Sequence, residues 1–150
     1  VIDENVILLK ELDNKIEINL DCHGKKFIFN SDYEQLSRTF FNLIKNSIES
    51  IQEKINQNPS FKGNINIELN NDNDLIEFTI IDNGMGFGIF AGNINNILNP
   101  YVTTKKKGTG LGLAIANKII NDHNGSIEFI SLDDGAMVKI KFIKSWVLKF

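Results

Sequence analysis

Three groups of residues in this chain have the types and spacing to do chemistry on a charged ligand. The densest runs from Tyr101 to Ile120, where Thr103, Thr104, Lys105, Lys106 and Lys107 lead into Gly108-Thr109-Gly110-Leu111-Gly112 and then into a helical apolar pattern of Leu111, Ile115 and Ile119. Glycines at a loop-to-helix junction let the backbone approach an anion, and a helix N-terminus offers unpaired N–H donors with a partial positive charge. This is a nucleotide-phosphate signature with lysine counter-charges just ahead of it; a glycine-rich turn capping a buried helix is the other reading of the same residues. The second group is Asn42 and Asn46, one helical turn apart. Their carboxamide oxygens could hold Mg2+ with its waters and their amides could reach phosphate oxygens, or the pair could be the wet face of a helix. The third is Asp82-Asn83-Gly84-Met85-Gly86, either an ordinary turn or a carboxylate that accepts a hydrogen bond from a base amine while the glycines let the ligand lie against the backbone.

The elements that must position these groups follow from hydrophobic periodicity. Asn5 to Leu12 reads as a short helix or an extended lead-in. Ile16, Ile18, Leu20 and Cys22 alternate with polar residues, and Phe27 and Phe29 continue after His23-Gly24, which predicts a hairpin with its turn at those two residues. Ser31-Asp32-Tyr33-Glu34 has the spacing of a capping box, and Leu36, Phe40, Leu43, Ile44, Ile48, Ile51 and Ile55 behind it predict a long core helix. Arg38, Asn42, Asn46, Glu49 and Glu53 form a polar stripe along that helix. After a loop from Gln57 to Gly63, the alternations Ile65-Ile67-Leu69 and Ile76-Phe78-Ile80 predict two strands joined through Asn70 to Asp74, the second ending at Asp82. Phe87 to Lys107 has no sustained periodicity and reads as a lid. The helix after the glycine motif should stop near His123-Asn124-Gly125, with Gly125 as its C-terminal cap and His123 complementing the helix dipole. Ile127 and Phe129, an Asp133-Asp134-Gly135 turn, and Ala136, Val138, Ile140 and Phe142 predict a last hairpin. Trp146 to Phe150 is assigned to no element.

Composition narrows the class. A chain of 150 residues with 42% hydrophobic content supports one domain with a proper core. The net charge of -3 leaves no general basic surface for nucleic acid, so the lysines near Lys105 are a local field. One cysteine and two histidines build neither a disulfide nor a zinc cluster, which points to a reducing compartment. No apolar run approaches the roughly 20 residues needed to span a bilayer, and the first residues do not read as a signal peptide. The expectation is a soluble piece cut from a longer protein.

Taken in order, the Asn pair on a long helix, Asp-x-Gly-x-Gly after a strand, and Thr-Thr-Lys followed by Gly-Thr-Gly-Leu-Gly-Leu at a second helix are together specific. From about Ile16 to Phe142 the chain resembles the ATP-binding catalytic domain of sensor histidine kinases, in the Bergerat-fold ATPase superfamily that includes DNA gyrase and mismatch-repair and chaperone ATPases. Asn42-Leu43-Ile44-Lys45-Asn46 and Pro100-Tyr101-Val102-Thr103-Thr104-Lys105 resemble the nitrogen-regulation type most. The resemblance implies an α/β (α+β) two-layer sandwich: a mixed, mainly antiparallel sheet with helices on one face and a glycine-rich ATP lid. It implies that Asn46 ligates Mg2+, that Asn42 and Lys45 lie beside the triphosphate, and that Asp82 takes the adenine amine with Gly84 and Gly86 lining the base. Thr103, Thr104 and Lys105 on the lid, with Gly108, Thr109, Gly110, Leu111 and Gly112, would enclose the phosphates.

The chain departs from the family pattern at Leu98 and Asn99, where many members have Phe and an acidic residue, across Gly88 to Asn96, and at Asn124, where Gly is usual. The phosphoacceptor histidine and its helical hairpin are missing from the chain. The expected partner is therefore a histidine-bearing helical domain of the same parent protein, with a response regulator served indirectly, no nucleic acid, no membrane contact by this chain, and a cytoplasmic location whether or not the parent is membrane-anchored. Asn42 favours transfer over hydrolysis: gyrase-like relatives carry a water-activating Glu at that position, and an amide cannot be a general base. A free-standing serine kinase of the anti-sigma-factor type and a non-catalytic nucleotide-binding module are the other two readings.

Overall fold

In the structure, a computed structural model, residues 15–24, 31–72, 74–87 and 112–144 are described. They form β1 (Ile16–Gly24), α1 (Tyr33–Gln57), β2 (Gly63–Asn71), β3 (Leu75–Asp82), α2 (Gly112–Asp122), β4 (Gly125–Leu132) and β5 (Gly135–Ile143). The expected lead-in at Asn5 to Leu12, Phe27 and Phe29, the lid residues beyond Phe87, and Trp146 to Phe150 lie outside the described residues.

The strands make one sheet in the order β1-β2-β3-β5-β4. β1 and β2 are parallel, and the other pairs are antiparallel. A parallel neighbour needs a crossover connection, which α1 supplies. Period-two alternation then brings one apolar set onto a single face. Ile18 lies opposite Ile65, Ile67 opposite Ile80, Phe78 opposite Ile140, and Phe129 opposite Val138. Both helices cover that face, α1 over β2 and β3 and α2 beside β4. Leu36, Phe40, Leu43, Ile44, Ile48 and Ile51 of α1 join the sheet residues in one core, with the Phe40 and Phe78 rings edge to face at 4.6 Å. Each such side chain contributes on the order of 2 kcal/mol relative to an exposed one. The expected two-layer mixed sheet with helices on one face is therefore the fold observed.

Local details differ from the sequence reading in four places. His23 and Gly24 are not a hairpin turn: β1 continues through them, and they pair with Asn70 and Asn71 of the parallel β2. The N-cap of α1 is Asp32 rather than Ser31, its Oδ1 accepting from the Gln35 N–H at 3.0 Å. Asn124, not Gly125, holds the left-handed position after α2, with φ 59°. Asn tolerates that region through its short polar side chain, whereas Gly125 begins β4 and packs so closely on the Phe142 ring that a Cβ would lie 2.6 Å from it.

The fourth concerns His123, which caps the last turn of α2 as expected and also reaches across to α1. Its Nδ1–H donates to the Ile119 carbonyl at 2.7 Å, and its Nε2 accepts from the Asp32 N–H at 3.0 Å. The two bonds together require the neutral ring with its proton on Nδ1. His123 thus ties the end of α2 to the start of α1, the helix that carries Asn42 and Asn46. His123→Ala should lower unfolding free energy by about 1 kcal/mol, the usual net worth of such bonds at a hydrated site. Urea denaturation would measure it, and a change of only a few tenths would mean that water replaces both bonds.

Candidate functional site

The alternation of β3 places Ile76, Phe78, Ile80 and then Asp82 on the core face, so a carboxylate occupies the last apolar position of a central strand. Asp82 is 6% exposed and lies between Ile65 and Ala136 on the neighbouring strands. Three donors compensate for its burial. The Gly84 N–H reaches Oδ1 at 3.0 Å, and the Ser47 hydroxyl of α1 and the Ala136 backbone N–H also bond the carboxyl. Lys54 adds an attractive charge, yet burial outweighs all of these and holds the carboxyl above its ordinary value of 3.8.

The segment after Asp82 is pressed against α1. A Cβ at Gly84 would lie 2.5 Å from Ser50 Oγ and 2.9 Å from the Ile51 nitrogen, so only glycine fits against the helix here. The Met85 N–H donates to Ser50 Oγ at 2.8 Å, while Asn83 fastens the other side, accepting from the Asn64 N–H at 2.8 Å and donating to the Lys62 carbonyl at 3.1 Å. Gly86 has φ +71° and turns the chain against the Gly135 carbonyl. Phe87 then packs edge to face on Phe129.

Asn42, Asn46 and Ser50 follow one another at intervals of four on α1, so the half-buried asparagines continue along the helix from the serine that holds Met85. The structure thus brings Asp82, Gly84 and Gly86 to the helix that carries Asn42 and Asn46. Lys45 is not brought to Asp82: its side chain is 52% exposed and lies 3.9 Å from Glu49. Gly112 is the first residue of α2, exposed, with open space where a Cβ would stand. Thr103, Thr104, Lys105, Gly108, Thr109, Gly110 and Leu111 lie outside the described residues.

Three contributors were missed by the sequence reading. Ser47, Ser50 and Lys54 repeat at helical spacing on one side of α1, and two serines inside a helix that could hold better helix formers were the available signal. The phase of β3 was another, because continuing Ile76-Phe78-Ile80 by two residues buries Asp82. Among the described residues, no group of three or more His, Cys, Asp or Glu could cage a metal. The donors at hand are carboxamide oxygens, which suit a hard cation that keeps water and phosphate as its other ligands.

With this geometry in place, the relationship to known proteins is direct. Residues 31–144 match the family described as "Histidine kinase-, DNA gyrase B-, and HSP90-like ATPase". The chain belongs to that family, as an ATP-binding catalytic domain of the sensor histidine kinase type. It is 32% identical over 143 residues to a putative NtrY-like sensor histidine kinase of Rickettsia bellii, covering 95% of this chain and 22% of the relative. It is 36% identical over 132 residues to sporulation kinase A of Bacillus subtilis, covering 87% and 20%, and 38% identical over 104 residues to the nitrogen regulation protein NtrY of Azorhizobium caulinodans, covering 69% and 13%. The chain therefore spans about a fifth or less of the length of these curated relatives. Its fold matches the nucleotide-free catalytic domain of histidine kinase ThkA with a TM-score of 0.78 at 24% identity, over 95% of this chain and 90% of that one.

A buried carboxyl with a raised value has a consequence for stability. In the folded chain Asp82 keeps its proton to higher pH than in the unfolded chain, so its contribution to stability is full below the ordinary 3.8 and is lost as pH rises through the folded value. Asp82→Asn removes that dependence. The stability of the variant relative to the natural chain should therefore rise from acid pH near the ordinary carboxylate value to alkaline pH, as the natural chain passes through the raised folded value. Urea titrations at both ends would check it, and a flat difference would mean that the carboxyl is unperturbed.

Proposed function

We propose that this chain binds MgATP and presents the γ-phosphate to a histidine on a separate helical domain of its parent protein, in two-component signalling. The observation that carries the reading is the buried Asp82 carboxylate at the end of an apolar strand face, held by Gly84, Ser47 and Ala136. Such an acceptor matches the exocyclic amine of adenine, and Gly84 and Gly86 keep the adjoining backbone free of side chains where the base would lie.

Asn42 and Asn46 serve the phosphate end. Asn46 holds Mg2+ through its amide oxygen, and Asn42 hydrogen-bonds the triphosphate. A bound Mg2+ would neutralise charge on the phosphate oxygens. Lys45, Lys105, Thr103, Thr104 and the stretch Gly108, Thr109, Gly110, Leu111 and Gly112 add charge and backbone donors around the same phosphates. In the transfer, a histidine ring nitrogen of the partner domain forms a bond to the γ-phosphorus as the bond to the β,γ-bridging oxygen breaks, and ADP leaves. The chain contributes position and charge rather than a nucleophile. A response regulator would take the phosphoryl group from that histidine in a later step.

The test uses radiolabelled ATP and the parent's histidine-bearing helical hairpin as a separate protein. The chain alone should bind MgATP with trace turnover, and with the hairpin it should form an acid-labile, base-stable product, slowly because no tether raises the effective concentration. Asp82→Asn sets a donor against the adenine amine and should weaken binding about ten- to a hundredfold. An acid-stable phosphoserine on a protein partner would favour the anti-sigma-factor type of kinase instead. Rapid phosphate release without an acceptor would overturn both kinase readings.

A further inference from the structure

Beyond the groups facing the nucleotide, one lysine of α1 holds together two segments that are far apart in the sequence. Lys54 lies two helical turns beyond Ser47. Its Nζ donates to the carbonyls of Asn83 at 3.0 Å and Gly84 at 3.5 Å, and pairs with Asp134 Oδ1 at 2.5 Å. The same ammonium stands 4.5 Å from the centre of the Phe61 ring. Asp134 belongs to the β4–β5 turn, and its neighbour Gly135, at φ +125°, is packed so tightly under the loop that a Cβ would lie 1.9 Å from the Asp82 carbonyl oxygen. An ammonium has three donors. Here they face the loop after Asp82 and the β4–β5 turn, and the lysine stem comes from α1.

A surface ion pair alone contributes little, because both ions are well solvated apart. Lys54 differs in being only 24% exposed at its side chain and in serving two main-chain carbonyls as well as a carboxylate. The carbonyls belong to the two residues immediately after Asp82, and Gly84 is also the residue whose N–H bonds the Asp82 carboxyl. Movement of this backbone therefore moves both the acceptor and one of its three donors.

We propose that Lys54 is a positioning residue for nucleotide binding: it fastens the Asn83-Gly84 backbone and the β4–β5 turn to α1 and thereby sets where the Asp82 carboxylate meets the base. The proposal rests on the reading of Asp82 as the base acceptor. On this proposal Lys54 acts through the loop rather than as a ligand contact.

The experiment titrates the full 150-residue chain with a fluorescent ATP analogue, well below the thermal midpoint of each variant. Lys54→Met should weaken binding about tenfold, within the range seen for residues that act on a site without contacting its ligand. Lys54→Arg should recover most of the loss, since a guanidinium keeps the charge and offers more donors. Asp134→Asn should weaken binding about threefold, and adding it to Lys54→Met should cost nothing more, because both act through one contact. A lysine that only stabilises the fold would lower the midpoint while leaving the affinity of the folded protein unchanged, and that result overturns the proposal. If Lys54→Met does not fold, Asp134→Asn decides, and unchanged affinity there overturns it equally. Asp82→Asn separates the two claims. Natural affinity in that variant sinks the base-acceptor reading itself, whereas lost affinity there with retained affinity in Lys54→Met sinks only the positioning role.

Discussion

A carboxylate on the apolar face of a sheet is the constraint on which the rest of this structure depends. Moving an ion out of water costs several kcal/mol unless hydrogen bonds and opposite charge replace its hydration. Asp82 recovers part of that through Gly84, Ser47 and Ala136 with Lys54 nearby, while burial still holds its value above the ordinary one. A ligand group that donates to this oxygen lowers the energy of the charged form, so ligand binding and ionisation of Asp82 favour one another. Around this carboxyl, β3 itself is locked by Phe78 and Ile80 and its neighbours by Ile65 and Ile140, each essentially inaccessible to solvent.

Helix α1 meets this constraint by carrying two stripes at once. Its apolar stripe, from Leu36 to Ile51, lies on β2 and β3 and fixes the height and rotation of the helix over the sheet. Given that rotation, Ser47, Ser50 and Lys54 arrive at Asp82, Met85 and the Asn83-Gly84 carbonyls without further adjustment. The Asp82 group is therefore held by the same packing that forms the core. His123 extends the same logic to the far end of the helix, where it joins the N-cap residue of α1 to the last turn of α2. Packing positions the functional groups here, and the polar contacts hold the backbone that packing has brought near.

Period-two and helical patterns carry most of the fold in the sequence, since Ile65 to Leu69, Ile76 to Ile80, Ala136 to Phe142 and Leu36 to Ile51 each alternate or repeat with one face apolar. The failures are non-local. His23-Gly24 has the composition of a turn, but hydrogen bonding to β2, set by a crossover through the whole of α1, extends the strand instead. Gly125 has the composition of a helix cap, but close packing on Phe142 makes it the start of β4, and His123 complements the end of α2 while also binding the distant Asp32 N–H, a contact no local pattern contains. At the candidate site, the burial of Asp82 lay in a strand phase that was not followed to its end, whereas the turn through Asp82, Gly84 and Gly86 was legible because turn chemistry is written locally. Lys54 was not, because its partners at Asn83, Gly84 and Asp134 become its neighbours only when the sheet forms.

The chemical inventory around Asp82 also bears on what kind of reaction the domain can support. Among the described residues around Asp82, the carboxylates are the exposed Asp134, which is paired with Lys54, and Asp82 at the strand end. It is buried and already accepts from Gly84, Ser47 and Ala136, so it is engaged as an acceptor at the end of β3 rather than poised beside a water. The carboxamides of Asn42 and Asn46 bind oxygen ligands or donate hydrogen bonds, but they take no proton at neutral pH. On the proposed reading, such a set orients a triphosphate and spreads its charge while leaving water unactivated. On that reading the nucleophile comes from another domain, and hydrolysis of bound ATP in its absence should be slow, since the carboxamides among the described residues supply no base.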